Sequence, residues 1–386
     1  MSSAEDGCLV SGMATMRNFY RRSLRWSALA TTLLLSVSLL CGCTASGGVP
    51  TREETARQKP AVPQGGILLQ GAGATFPAML YKKWFSTYQL GHPKDVIAYD
   101  TVGSGEGIRR FIGQNVKDED RVDFGASDAA MRDEEMNRVQ GGAILVPLTA
   151  GCVALAYNLP SLTTDLKLSR DASAGIFMGQ IKNWNDPRIT KTNPGVKLPN
   201  LTITTIVRQD GSGTTFAFTK HLDAINSAWR SQFGPATLVN WPGNSMRASG
   251  NEGVAGRIKQ SLGSIGYVSY EFARQTGLKV ARLENRAGKF VAPSPGASAS
   301  AFADVELPDN MRLYVPDPAG ADSYPIVTLT WILLYRNNPD QQKAKALQDL
   351  FRWCLTDGQK YAPELGYTAL PQNVVARSLV ALDSLQ

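Results

Sequence analysis

Along this chain a strand-length apolar run, a turn of glycine and hydroxyl residues, and the start of a helix follow one another repeatedly. Ile67-Leu68-Leu69 precedes the helix-period segment 75–88, where Phe76, Leu80, Trp84 and Tyr88 recur every four residues. Val96-Ile97-Ala98-Tyr99 precedes 107–112, and the run 201–207 precedes 214–222. A spacing of four gathers apolar side chains on one helical face, whereas runs this short suit buried strands. The repeated unit predicts an α/β fold with mainly parallel sheets and ligand sites at the strand ends. The apolar run 326–335 has strand length and is expected to be a buried strand.

At 386 residues the chain exceeds one ordinary core, so two domains are expected. It is 43% hydrophobic and 19% charged, the balance of a globular protein. The net charge of +7 falls to +5 over residues 43–386. So small an excess, without any block of Lys and Arg, suits a local anion site and argues against a nucleic-acid groove.

At the N-terminus, basic residues from Arg17 to Arg25 lead into an apolar run from Ala28 to Leu40. That run is too short to span a bilayer comfortably and has the size of a signal-peptide core. Leu40-Cys41-Gly42-Cys43 resembles the lipobox of bacterial lipoproteins, which implies Cys43 as the lipidated residue; the alternative is an ordinary secretory signal cut nearby. Residues 44–66 are small, polar and rich in Pro and Gly, so they read as a flexible tether reaching roughly 25 Å. In the body only Cys152 and Cys354 remain. Both lie in apolar surroundings and read as buried free thiols, with one long-range disulfide as the alternative.

Four motifs combine glycine, a hydroxyl or carboxylate, and an expected helix start. They are Gly71-Ala72-Gly73-Ala74-Thr75-Phe76-Pro77, Gly103-Ser104-Gly105-Glu106-Gly107, Asp123-Phe124-Gly125-Ala126-Ser127-Asp128, and Arg208-Gln209-Asp210-Gly211-Ser212-Gly213-Thr214-Thr215. A helix start leaves N–H donors unpaired and carries partial positive charge, so it favours an anion. Glycine lets the backbone approach the ligand, and Ser or Thr adds an O–H donor. Taken singly each could be a plain N-cap; converging, they would surround a small tetrahedral oxyanion.

Arg208 supplies a planar fork suited to such an oxyanion, and Asp210 can orient it. Asp128 is the discriminating member. A carboxylate repels an anion unless the anion brings a proton to donate, which phosphate does near neutral pH and sulfate does not. The enzyme inventory is poor: His92 and His221 stand in unrelated contexts, and no P-loop, Gly-x-Ser-x-Gly or metal-ligand cluster is present. His221 reads as a packing or surface residue. A phosphate-ester hydrolase built on Asp128 with Ser104 or Ser212 is the remaining enzymatic alternative.

These motifs, with Lys182-Asn183-Trp184-Asn185-Asp186, Asn251-Glu252-Gly253-Val254, Ile265-Gly266-Tyr267-Val268 and Tyr324-Pro325-Ile326, resemble those of the periplasmic phosphate-binding protein of the high-affinity phosphate ABC transporter. The likeness runs from about Leu68 to Val380. It implies a periplasmic-binding-protein-like fold of two α/β lobes joined by paired hinge crossovers. The expected division is leader 1–42, tether 43–66, first lobe 67–149 plus 325–386, and second lobe 150–324, with crossings near Thr149 and Tyr324. It also implies that Thr75, Phe76 through its backbone N–H, Ser104, Asp128, Arg208, Ser212, Gly213 and Thr214 hold the ion. The implied partners are inorganic phosphate, permease subunits of an ABC importer, and a membrane through the lipid anchor. No cofactor, metal, nucleic acid or catalysis is implied, and a monomer is expected. Sulfate, molybdate, a phosphonate or an organic phosphate are the alternative ligands. Glu106 departs from the family pattern; it either weakens anion capture or faces solvent.

Overall fold

Twelve strands and the helices between them are set out in the computed structural model, which describes residues 60–386. The expected leader, Cys43 and the tether up to residue 59 lie outside the described residues. In chain order the strands are β1 (Ile67–Gly73), β2 (Asp95–Thr101), β3 (Phe124–Ser127), β4 (Ala143–Tyr157), β5 (Lys167–Leu168), β6 (Thr204–Arg208), β7 (Ser245–Ala248), β8 (Ser264–Ser269), β9 (Lys279–Val280), β10 (Arg282–Glu284), β11 (Phe290–Val291) and β12 (Val327–Tyr335).

One sheet runs in the order β2-β1-β3-β12-β4-β8-β6-β7, with β9 also against β4, and β11-β10-β5 form a separate small sheet. The expected parallel pairing holds on the flanks, where β1 lies between β2 and β3 and β6 between β7 and β8. In the centre it is antiparallel, because β12 and β4 run against each other and against β3 and β8. The fold is thus mixed α/β.

Strand β4 is the spine. All fifteen of its residues are buried. Its residues up to Cys152 pair with β12, and from Val153 onward it pairs with β8. A single apolar strand therefore belongs to both flanks, and its near-unbroken Val, Leu and Ala content is what a strand covered on both faces requires. Pro147 sits within it, where a ladder N–H is missing. Opposite it the register shifts between Thr330 and Trp331, so that these two residues face Thr149 and Pro147. A bulge of this kind re-aims neighbouring side chains.

The helix expected over 75–88 runs Ala78–Gly91 and buries Leu80, Tyr81, Trp84, Phe85 and Tyr88. It starts later because Pro77 takes the cap position, leaving Thr75 and Phe76 in the preceding turn. Each large apolar side chain taken from water contributes roughly 1.5–3 kcal/mol. The helix expected over 107–112 begins earlier, at Ser104. The helix Gly213–Ile225 is capped by Ser212, whose Oγ accepts from Thr215 N at 3.1 Å. Cys152 and Cys354 are both buried free thiols. Among the described residues no helix is long and apolar enough to cross a membrane.

Candidate anion-binding site

Each site residue leaves the carboxyl end of a strand or opens a helix. Thr75 and Phe76 follow β1, Asp128 follows β3, and Arg208 ends β6, while Ser104 and Gly213 open their helices. The structure brings these segments together. Ser104 Oγ accepts from Asp128 N at 3.2 Å and from Gly213 N at 3.0 Å, and Gly105 N donates to Gly211 O at 2.9 Å. Thr75 is 7% exposed, and Ser104, Asp128, Arg208, Ser212 and Thr214 are 2% or less. Phe76 is fully buried, and its carbonyl accepts from Tyr367 OH at 2.8 Å.

Close approach at Gly213 is obligatory. A Cβ there would lie 2.5 Å from Asp128 Cβ and 2.6 Å from Ser104 Oγ. Gly103 has φ +91°, a left-handed conformation, and a Cβ there would also collide with the Asp210 carboxylate.

Both acceptor positions of the Ser104 hydroxyl are thus filled by N–H groups, so its proton is left to donate. Ser212 Oγ accepts from Thr215 N at 3.1 Å, and its proton is likewise free to point elsewhere. Neither serine hydrogen-bonds a carboxylate or a histidine, so the nucleophile–base pair of a hydrolase is not assembled. His221 is buried on the helix Gly213–Ile225, and its Nδ1 pairs with Pro316 O at 2.6 Å. Burial holds its pKa down to about 4 against the opposing pull of that carbonyl and Asp317, so the ring is neutral and donates.

Arg208 donates through Nε to Asp210 Oδ1 at 2.8 Å and through an Nη to the other carboxylate oxygen. Its backbone N–H donates to Tyr267 OH at 3.0 Å. Burial acts to raise the Asp210 carboxyl, but Arg208 and the Gly250 N–H, 3.1 Å from Oδ1, outweigh it and hold it below the usual range. The pair cancels in formal charge, so an anion here is met mainly by N–H and O–H dipoles and helix starts.

Asp128 Oδ1 accepts from Thr330 Oγ1 at 2.8 Å. Burial pushes its carboxyl up to about 7, while the Thr330 hydrogen bond and the Arg208 charge pull the other way. A carboxyl poised there can both accept a proton from a bound anion and, once protonated, donate one.

One expectation needs correcting. The Asp123–Asp128 motif does not open a helix; it forms β3 and then a loop, since the next helix begins at Asp133. The further helix start at the site belongs to Gly250–Gln260. Its Asn251 is fully buried, donating through Nδ2 to Thr75 Oγ1 at 2.9 Å and to Thr214 Oγ1 at 3.2 Å. Sequence reasoning missed Asn251, Thr330 and Tyr267 as site residues. The available signal for Thr330 was that it and Thr328 interrupt an otherwise apolar run. Glu106 turns away from the ligand segment: Arg109 takes both its oxygens at 2.7 Å, and Arg110 Nε lies at 2.9 Å. A cavity of about 880 Å³ lined by Thr75, Asp210, Gly250, Gly253, Arg257 and Phe272 adjoins the site. Among the described residues no group of three His, Cys, Asp or Glu side chains could hold a metal ion.

Strand-end and helix-start donors converging from both flanks of one sheet define a solute-binding domain of the periplasmic-binding-protein type. The family model described as a PBP superfamily domain matches residues 48–357. The phosphate-binding protein PstS of Pasteurella multocida is 37% identical over 312 residues, 80% of this chain and 88% of that protein. That of Xylella fastidiosa strain Temecula1 is 34% identical over 354 residues, 88% of this chain and 94% of that protein. The chain belongs to the PstS family of phosphate-binding proteins, which are binding proteins and not enzymes. Its fold is similar to that of a high-affinity periplasmic phosphate-binding protein solved with phosphate bound. That likeness has a TM-score of 0.67 and 22% identity, and covers 81% of this chain and 92% of the other.

Proposed function

We propose that this protein is an extracytoplasmic solute-binding lipoprotein that captures inorganic phosphate between two lobes and delivers it to the permease of a phosphate ABC importer. The observation that carries the reading is the placement of Asp128. Its buried carboxylate stands among hydroxyl and N–H donors, where a fully deprotonated tetrahedral anion would be repelled and a protonated one would form a short O–H···O⁻ bond. The names of the 37% and 34% identical relatives support the same ligand.

The proposed lobes are 67–149 with 325–386, and 150–324, hinged where β4 changes partner and the chain returns before β12. In the proposed closed state Thr75, Phe76, Ser104 and Asp128 from one lobe lie against Arg208, Ser212, Gly213 and Thr214 from the other, as the bond from Gly213 N to Ser104 Oγ suggests, and closure expels water from the donor contacts. Asp210 orients Arg208. Cys43 would carry the lipid and the tether would keep the body near the outer face of the membrane as a monomer. Support for the anchor is the tetrapeptide Leu40–Cys43 alone.

Neither Ser104 nor Ser212 hydrogen-bonds a carboxylate or a histidine, so the site offers no nucleophile–base pair with which to cleave an ester. Titration with inorganic phosphate and with a phosphate monoester tests this: phosphate binds, and the ester is recovered uncleaved. Release of phosphate from the ester would contradict the assignment.

A further inference from the structure

Asn251 has every polar hydrogen and its amide oxygen committed to protein partners. Ser269 N donates to Oδ1 at 2.8 Å, which fixes the orientation of the amide and leaves Nδ2 as donor. The two Nδ2 hydrogens go to Thr75 Oγ1 and Thr214 Oγ1, and the backbone N–H of Asn251 makes a second bond to Thr75 Oγ1 at 3.1 Å. Nothing of the side chain is left over to touch a ligand. Its effect falls on the two hydroxyls. A threonine oxygen has two acceptor positions and one proton. With both acceptor positions of Thr75 filled, its proton must point away from Asn251; one acceptor position of Thr214 is filled in the same sense.

We infer that Asn251 is a positioning residue that fixes Thr75 and Thr214 as hydrogen-bond donors, tying the turn after β1 to the helix start after β6. The inference rests on the reading that these hydroxyls face phosphate. Without the amide the Thr214 hydroxyl loses its Asn251 partner and is free to rotate and present a lone pair to the anion, while the Thr75 hydroxyl keeps only the bond from the Asn251 backbone N–H and is held less firmly. With a carboxylate in the same shape both would be drawn inward, so that lone pairs face the anion and a further negative charge stands behind them.

The test compares phosphate dissociation constants of the wild-type chain, Asn251→Asp and Asn251→Ala between pH 5 and pH 8. At pH 8, Asn251→Asp binds about a hundred-fold more weakly, from two reversed hydrogen bonds to a charged ligand. Asn251→Ala loses only about three- to ten-fold at every pH. The ratio of Asn251→Asp to wild type shrinks toward pH 5, where the introduced carboxyl takes up a proton and can donate again; Asp128, common to both, cancels. An Asn251→Asp variant no weaker than Asn251→Ala, or a ratio flat with pH, overturns the inference. Should the aspartate variant fail to fold, the double variant Asn251→Ala/Thr214→Val decides. The loss caused by Thr214→Val shrinks in the alanine background if Asn251 orients that hydroxyl, and an undiminished loss overturns the claim. Wild-type protein that binds no phosphate would instead defeat the functional reading itself.

Discussion

Thr330 Oγ1 donates to Asp128 Oδ1 at 2.8 Å, joining the carboxylate beside the donor cluster to a strand 202 residues further on. One carboxylate oxygen is thereby occupied, and the other remains for a proton shared with the bound anion. Selectivity follows from where that proton can come from. Phosphate supplies its own near neutral pH; sulfate requires Asp128 to be protonated.

Asp128→Asn removes the repulsion and supplies a donor of the same shape. Phosphate affinity falls by about ten-fold or less, and sulfate becomes a competitor at pH 8. Competition calorimetry measures both, and unchanged selectivity in the variant would remove Asp128 from the account.

Arg208→Ala loses the guanidinium and leaves Asp210 unpaired near the anion. Affinity for phosphate falls at least ten-fold. Arg208→Lys recovers only part of it, because an ammonium cannot reproduce the planar fork held by Asp210. Affinities of the two variants measured side by side check the order.

Gly213→Ala places a methyl group 2.5 Å from Asp128 Cβ and 2.6 Å from Ser104 Oγ. Those residues must separate, which breaks the Gly213 N to Ser104 Oγ bond. The variant folds, since helix interiors and starts accept alanine, yet binds phosphate more than ten-fold more weakly. Circular dichroism with a binding titration separates the two effects; wild-type affinity would mean that the segments need not meet.

Ligand-free stability depends on pH through the same carboxyl. Burial raises Asp128 to about 7, so its contribution is fully present below the unfolded pKa of about 4 and is lost as pH rises through 7. The difference in unfolding free energy between Asp128→Asn and wild type is therefore near its minimum at pH 4 and grows until pH 8, with a ceiling on the order of 4 kcal/mol. Glu271 is buried and shifts in the same direction, but it is common to both proteins. Denaturant titrations in phosphate-free buffer give the difference, and a value constant with pH would refute the raised carboxyl.

Local pattern made much of this legible. The apolar run 326–335 became β12, and glycine with hydroxyls marked the turns at Thr75, Ser104 and Ser212 because both features act within a few residues. Asn251 and Thr330 escaped for different reasons. The helix start at Gly250 follows β7, whose Ser245-Met246-Arg247-Ala248 is mostly uncovered and carries no apolar-run signal. Thr330 lies inside a run read by its apolar neighbours, and its partner is set by sheet order and a bulge opposite Pro147. Long-range pairing of this kind has no local signature. Glu106, the one departure that raised doubt, is held by Arg109 and Arg110. The Arg109 hydrogen bonds hold its carboxyl below the usual range; partial burial opposes them, and the Arg110 hydrogen bond and both guanidinium charges add to the lowering.

The central claim is that this site takes phosphate because the anion brings a proton to Asp128. Calorimetric titration of phosphate-stripped protein with phosphate and with sulfate, at pH 8 and at pH 5.5, tests it most directly. Phosphate binds at both values, whereas sulfate is rejected at pH 8 and begins to bind at pH 5.5, below the Asp128 pKa of about 7. Sulfate binding as tightly as phosphate at pH 8, or no phosphate binding at either value, would contradict the claim.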